Sequence, residues 1–236
     1  MLTLKKFKRF LEISPDNIAK DEFLQECIRS AVAELNGLVN RRLDYKTYTE
    51  TINGSGNKFA YLSNFPVLKI NTLQLSTPDG FSDIINQPDT VSDSVLIFDA
   101  GIIFLKKGYI FPAGDKNIYA EYESGYAGAD SWQINTKYNS NEYTLYSGNI
   151  YRCVAGHISG ETFDEDRWQL TGAQLVPADL EKVLKYLAAK QFYESTAGKN
   201  LLLRKAETTG GNFSRSLVYK TPDIESIINS YKKANI

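Results

Sequence analysis

The chain has 236 residues, 42% of them hydrophobic and 23% charged, which is the balance of an ordinary folded protein rather than a disordered one. Its 27 Lys and Arg face 28 Asp and Glu, and a formal net charge of -1 argues against a dedicated DNA-binding surface, which needs a clear cationic excess. No stretch approaches the roughly eighteen unbroken apolar residues of a membrane helix; the basic N-terminus has no apolar segment behind it, and two isolated cysteines offer neither a disulfide framework nor a metal spacing.

This length allows one good core, or a medium domain with a small one. Leu4, Phe7, Phe10 and Leu11 stand at helical spacing, and Ser14-Pro15-Asp16-Asn17 breaks the pattern. A second helix is expected from about Lys20 to about Asn40. Phe23, Cys27, Ala31, Leu35 and Leu38 form its apolar face, widened by Leu24, Ile28, Val32 and Val39. A β region follows. Tyr45 to Ile52 alternates like a strand, Asn53-Gly54-Ser55-Gly56 can turn it, and Phe59 to Leu62 is expected to answer it as a hairpin.

Val67 to Ser76 is a further strand, Pro78-Asp79-Gly80 a turn, and the polar stretch Ser82 to Ser94 a loop. Val95 to Phe98 and Ile102 to Leu105 read as a hairpin across Asp99-Ala100-Gly101. Gly108 to Gly114 is a loop, and Asn117 to Glu123 is a strand that stops near Gly125. After residue 171, Pro177 can hold a first helical position, where its missing N–H costs nothing. Leu180, Val183, Leu184, Leu187, Ala188 and Phe192 make an amphipathic helix ending near Gly198. Lys199 to Lys220 reads as irregular and polar. Thr221 and Pro222 open a short last helix with Ile224, Ile227, Ile228 and Tyr231 on one side.

Between the last strand and the Pro177 helix lies an aromatic-rich block, Ser131 to Thr171, holding both tryptophans, the only histidine and Cys153. It reads as a small β module spliced into a host. The expected fold is therefore α+β: a helical bundle with a β-rich region and an inserted small β module. The domains divide as 1–130 with 172–198 for the core, 131–171 for the insert, and 199–236 for a C-terminal arm.

The host resembles the head-tail connector, or adaptor, proteins of tailed bacteriophages. The matching words are Asn40-Arg41-Arg42-Leu43 after two helices, Tyr48-Thr49-Glu50-Thr51 with Gly54-Ser55-Gly56, and Phe65-Pro66-Val67. Glu121-Tyr122-Glu123-Ser124-Gly125-Tyr126, Val176-Pro177-Ala178-Asp179-Leu180 and the closing Tyr231-Lys232-Lys233 follow in order. The resemblance implies a structural virion protein and not an enzyme. It implies a ring, dodecameric in this family, placed between portal and tail, extending the DNA channel without sequence-specific binding. The expected partners are other copies of the chain, portal protein, and tail or neck proteins, with no membrane and no cofactor. The expected location is the head-tail junction of a virion, after synthesis in a bacterial host cytoplasm. Portal or neighbour docking is placed on the arm, at Tyr219, Ile224, Ile227, Ile228 and Tyr231; the plainer reading packs that helix onto its own domain.

The insert resembles the small carbohydrate-binding modules of chitinases and of many phage structural proteins. The resemblance rests on an opening Trp132, Tyr138 and Tyr143 around a turn, a strand pair near Tyr146 to Tyr151 joined by Ser147-Gly148-Asn149, and a closing Trp168. Trp132, Tyr138, Tyr143, Tyr151 and Trp168 are its candidate contacts with a glycan or a partner. In chitin-binding relatives a tandem aromatic pair follows the second strand, where this chain has Ala155-Gly156, so Trp132, Tyr151 and Trp168 read as core. The alternative function is a non-catalytic carbohydrate-binding accessory protein acting through the insert; an oligomeric scaffold of a cellular machine is a third. His157 alone cannot build a metal site, and no Gly-rich phosphate cradle is present. Asp164-Glu165-Asp166 sits in one hydrophilic loop, poorly placed for paired-carboxylate glycoside hydrolysis.

Overall fold

The structure is a computed structural model that describes residues 1–77, 80–83, 95–98, 101–106, 110–195 and 222–232. The expected turn at 78–79, most of the 82–94 loop, the 99–100 turn and the 199–220 segment lie outside the described residues. The fold is α+β. Chain contacts divide it into one unit of residues 1–40, 128–169 and 175–236 and another of residues 41–127 and 170–174.

The first unit carries the helices. Helix α1 (Leu4–Phe10) is capped by the Thr3 hydroxyl, which accepts the Lys6 N–H at 3.3 Å. Helix α2 (Asp21–Val39) buries Leu24, Cys27, Ala31, Leu35 and Val39 and ends on Asn40 in the left-handed region, φ 55°. Its stripe is rotated from the expected one: Leu38 is 41% exposed, and Leu24 and Val39 take the centre. Helix α3 (Ala178–Glu194) follows Pro177 and lies against α2, burying Leu180, Val183, Leu184, Leu187 and Phe192. Helix α4 (Pro222–Tyr231) closes the described chain and packs on α2 and α3.

Two lysines near the N-terminus find their partners inside this unit. Lys8 is only 3% exposed; its ammonium pairs with Asp21 and donates to the Pro15 carbonyl at 3.0 Å. Lys6 meets Glu181 at 2.7 Å, and Lys185 meets the other oxygen of the same carboxylate at 2.6 Å. Burial alone would raise the Glu181 pKa, but the two ammonium groups outweigh it and hold the carboxyl below its ordinary value.

The second unit is β-rich. Its main sheet runs in the order β1 (Lys46–Gly54), β7 (Gly114–Ser124), β3 (Val67–Thr77), β4 (Gly80–Asp83), with neighbouring strands antiparallel. A separate three-stranded sheet joins β2 (Phe59–Tyr61), β6 (Ile102–Leu105) and β5 (Val95–Phe98). The expected hairpin between the strand at Tyr45–Ile52 and that at Phe59–Leu62 does not form. β1 pairs with β7 from Lys46↔Ser124 to Ile52↔Ile118, and β2 pairs with β6 instead. A nine-residue strand satisfies more of its backbone against the eleven residues of β7 than against the three of β2. The turn residues carry the chain from one sheet to the other. The Asn53 side chain accepts the Lys116 N–H at 2.8 Å, and a side chain at Gly54 would collide with the Pro112 carbonyl.

The expected hairpin of β5 and β6 does form, with Val95↔Leu105 to Phe98↔Ile102 in register. The core of this unit gathers Tyr48, Leu62, Ile70, Leu73, Ile103, Phe111, Ile118 and Tyr122. Tyr122 is fully buried, and its hydroxyl donates to Glu50 at 2.7 Å while accepting the Asn64 N–H at 3.2 Å. Glu50 also accepts the Ser63 N–H at 2.7 Å, so a carboxylate among apolar neighbours has its partners. Burial, then the Glu50 contact, push the Tyr122 phenol far above its ordinary pKa. Arg41 lies 3.5 Å over the Phe65 ring and donates to the Phe65 carbonyl, fixing the start of this unit against its first long turn. The strands β8 (Tyr126–Ala127) and β15 (Gln174–Leu175) lie where the chain passes between units.

Candidate assembly and binding surfaces

Two groups of residues carry the functional expectations, and both belong to the first unit. One is the apolar face of α4. Ile224 is buried, Ile227 and Ile228 are half-buried, and Tyr231 donates its hydroxyl hydrogen to Asp179, 3.0 and 3.2 Å from the two carboxylate oxygens. Asp179 stands in the first turn of α3, where its charge suits the helix N-terminus, and one of its oxygens also accepts the Leu180 N–H at 2.8 Å. The apolar stripe read on this helix is therefore seated on the chain's own α2 and α3. Tyr219 lies outside the described residues. Asp179 was not legible as the receiver of Tyr231, because the two are 52 positions apart.

The other group is the inserted module. Strands β14 (Trp168–Leu170), β12 (Asn149–Cys153), β11 (Tyr143–Tyr146) and β9 (Asp130–Ser131) form one sheet in that order; β10 (Lys137–Tyr138) and β13 (His157–Ile158) form another. Tyr146↔Asn149 closes the β11–β12 hairpin, so the turn is Ser147-Gly148 alone, with φ 47° and 82°. Positive φ at both central residues is the tight hairpin turn whose twist matches the strands.

The module's core is aromatic. Tyr138 and Trp168, 8% and 6% exposed, meet edge to face with ring centroids 4.9 Å apart. Phe163 stacks on Tyr146 at 4.0 Å and 5° and touches Tyr151, Trp132 and Trp168 at 4.9, 5.8 and 5.5 Å. Of the five candidate contact residues, Trp132, Tyr138, Tyr151 and Trp168 come together through this cluster. Tyr143 sits opposite Arg152 in the hairpin ladder. Phe163 organises the cluster and was not singled out by the sequence, where it is a lone aromatic in an acidic loop.

Flat sugar-stacking faces need exposed rings, and here the rings cover one another. A cleft of about 130 Å³ remains beside them, lined by Trp132, His157, Ser159, Thr162, Arg167 and Trp168 among others. Buried indole N–H groups of Trp132 and Trp168 meet no oxygen or nitrogen acceptor. Both indoles stand steeply to two neighbouring rings, at 76–77° for Trp132 and 77–80° for Trp168, the arrangement in which a positive edge faces a π surface.

The histidine and cysteine of the module share a carbonyl. Cys153 Sγ and His157 Nδ1 lie 3.1 and 2.9 Å from the Ala155 oxygen and 3.6 Å from each other, closing the loop between β12 and β13. Burial raises the Cys153 pKa, and burial followed by the Glu26 charge pushes Cys27 up to about 11, so both stay protonated thiols at neutral pH. Among the described residues no group of three His, Cys, Asp or Glu is placed to hold a metal ion, and no helix is long and apolar enough to cross a membrane.

Comparison with solved structures supplies the framework for these surfaces. A chain from the neck of an empty GTA particle computed with C6 symmetry superposes on all of this chain and 91% of its own length, with a TM-score of 0.54 and 13% identity. A chain from the neck of the native GTA particle computed with C12 symmetry matches over 100% and 90%, with a TM-score of 0.51 and 13% identity. The chain shares the fold of these particle-neck chains. A chain from the virion of the native gene transfer agent (GTA) particle agrees, at a TM-score of 0.53, 13% identity, and 100% and 91% coverage. No protein-family profile matches the chain, and no curated protein matches it. These matches each cover 100% of this chain.

Proposed function

We propose that the chain is a structural neck protein of a phage-like particle, a head-tail connector whose copies form a ring between portal and tail. The observation that carries this reading is the full-length match to neck chains from reconstructions with C6 and C12 symmetry. Twelve copies fit both symmetries. Such a ring extends the path of the DNA; the near-neutral charge of the chain suits a passage along which phosphates must slide. The protein acts by contact alone and makes or breaks no bonds. Different faces of one copy meet different faces of the next, and this heterologous contact closes when the rotation per copy divides the circle. Portal protein above and tail or neck proteins below are its partners.

The inserted module belongs to the outer wall of this ring, where it meets neighbouring virion proteins. Its rings are occupied in its own core, which favours a structural part over a glycan platform. Native mass spectrometry and negative-stain microscopy of the purified chain, alone and with portal protein, test the reading. A closed ring of about twelve copies is expected under at least one of these conditions. A chain that stays monomeric in both, and is absent from purified particles, sinks it.

A further inference from the structure

The seat of α4 is complete within every copy of the chain, and this decides which partner fits it best. α4 has ten residues, too short to hold its shape alone in water, so it must be docked somewhere. Its stripe of Ile224, Ile227, Ile228 and Tyr231 matches a seat on α2 and α3 that ends in the Asp179 carboxylate. Helices that pack together in one chain are ordinarily joined by about 2–8 residues. Here Ser195 and Pro222 are separated by the 26 residues 196–221. That length of chain reaches up to roughly 85 Å, far beyond what a return onto α3 requires.

We propose that in the assembled ring α4 of one copy occupies the α2–α3 seat of the next copy. This rests on the ring reading above and names the contact that closes it. An identical helix entering an identical seat reproduces every contact, including the Tyr231–Asp179 hydrogen bond, so exchange loses nothing but local chain freedom. Around a closed ring each seat that gives up its helix receives another. Transfer of α4 to a protein of different sequence would leave the seat empty and its apolar lining exposed to water.

The test uses the full chain with Tyr231 replaced by a photoreactive benzoyl-phenylalanine. Ring order is read first by native mass spectrometry, then the sample is irradiated and run on a denaturing gel. Ser230, exposed on the same turn, takes the photoreactive residue where loss of the Tyr231 hydroxyl loosens α4. Covalent dimers and higher multimers from the ring, mapped by mass spectrometry to the first turns of α3, are expected, with only internal links in dilute monomer. Links confined to single chains within an intact ring overturn the proposal, as do links made only to portal protein when it is added. If neither condition gives a ring, the ring reading itself fails and the exchange falls with it.

Discussion

Phe163 lies flat on Tyr146, the ring centroids 4.0 Å apart and the planes within 5° of parallel. Three further aromatic rings touch Phe163, so one side chain from the acidic loop completes the core of the inserted module. Phe163→Ala removes that keystone. The half-buried site points to a loss of about 2–3 kcal/mol, at the low end for a truncated core aromatic. Tryptophan fluorescence should report it, since both indoles of the chain contact Phe163; unchanged emission and unchanged unfolding would remove Phe163 from this role.

A second prediction concerns Glu50, the half-buried carboxylate of the β-rich unit. Tyr122→Phe deletes one donor to Glu50 while the Ser63 N–H remains, and should cost about 1–2 kcal/mol. Glu50→Ala removes the acceptor of both the Tyr122 hydroxyl hydrogen and the Ser63 N–H and should cost more than Tyr122→Phe. Chemical denaturation of both variants measures the order. The reverse order would show that Glu50 is a burden on the core rather than its anchor.

The Lys6–Glu181–Lys185 cluster makes folding pH-dependent in one direction. Because the folded pKa of Glu181 lies below the ordinary carboxyl value of about 4.5, its stabilisation is fully present above that value. It is lost as pH falls through the folded pKa. Glu181→Gln should lower the melting temperature at pH 7 and shrink the gap from wild type as the pH is taken below 4.5. Parallel melting curves from pH 7 to pH 3 check this; a constant gap across the range contradicts it.

Replacing residues 131–171 by a short Gly-Ser bridge should leave α1, α2 and α3 folded, with a lower melting temperature. The module ties to α1 through the Lys5 ammonium, 3.0 Å from Gln133, and that contact is lost. Far-ultraviolet dichroism and a cooperative melt check the outcome. Aggregation of the shortened chain would mean that the helices need the module to fold.

The local parts of this fold were legible. Apolar spacing located α2 and α3, Pro177 located the start of α3, and alternation located β1 and β7, because helix and strand periods are written in neighbouring residues. The hairpin that was expected from Asn53-Gly54-Ser55-Gly56 failed for the opposite reason. Choosing β7 over β2 as the partner of β1 is a contest decided by backbones about sixty to eighty positions apart, and a turn motif does not record it. The burial of Lys8 was not legible, because nothing in its own helix announces the carbonyl of Pro15 or the carboxylate of Asp21. At the candidate surfaces, the stripe of α4 was readable and its seat was not. In the module, the tryptophans were recognisable as core because their stacking companions were missing at Ala155-Gly156, while the part played by Phe163 exists only in three dimensions.

The two shielded sulfur atoms have a practical consequence. Cys27 and Cys153 are both buried and both hold their protons tightly. Maleimide dyes and spin labels react with accessible thiolate, so the wild-type protein should take up almost no reagent at neutral pH. One cysteine introduced at an exposed site would thus become the sole attachment point on each copy, allowing distances across an assembly to be measured without first stripping the natural pair.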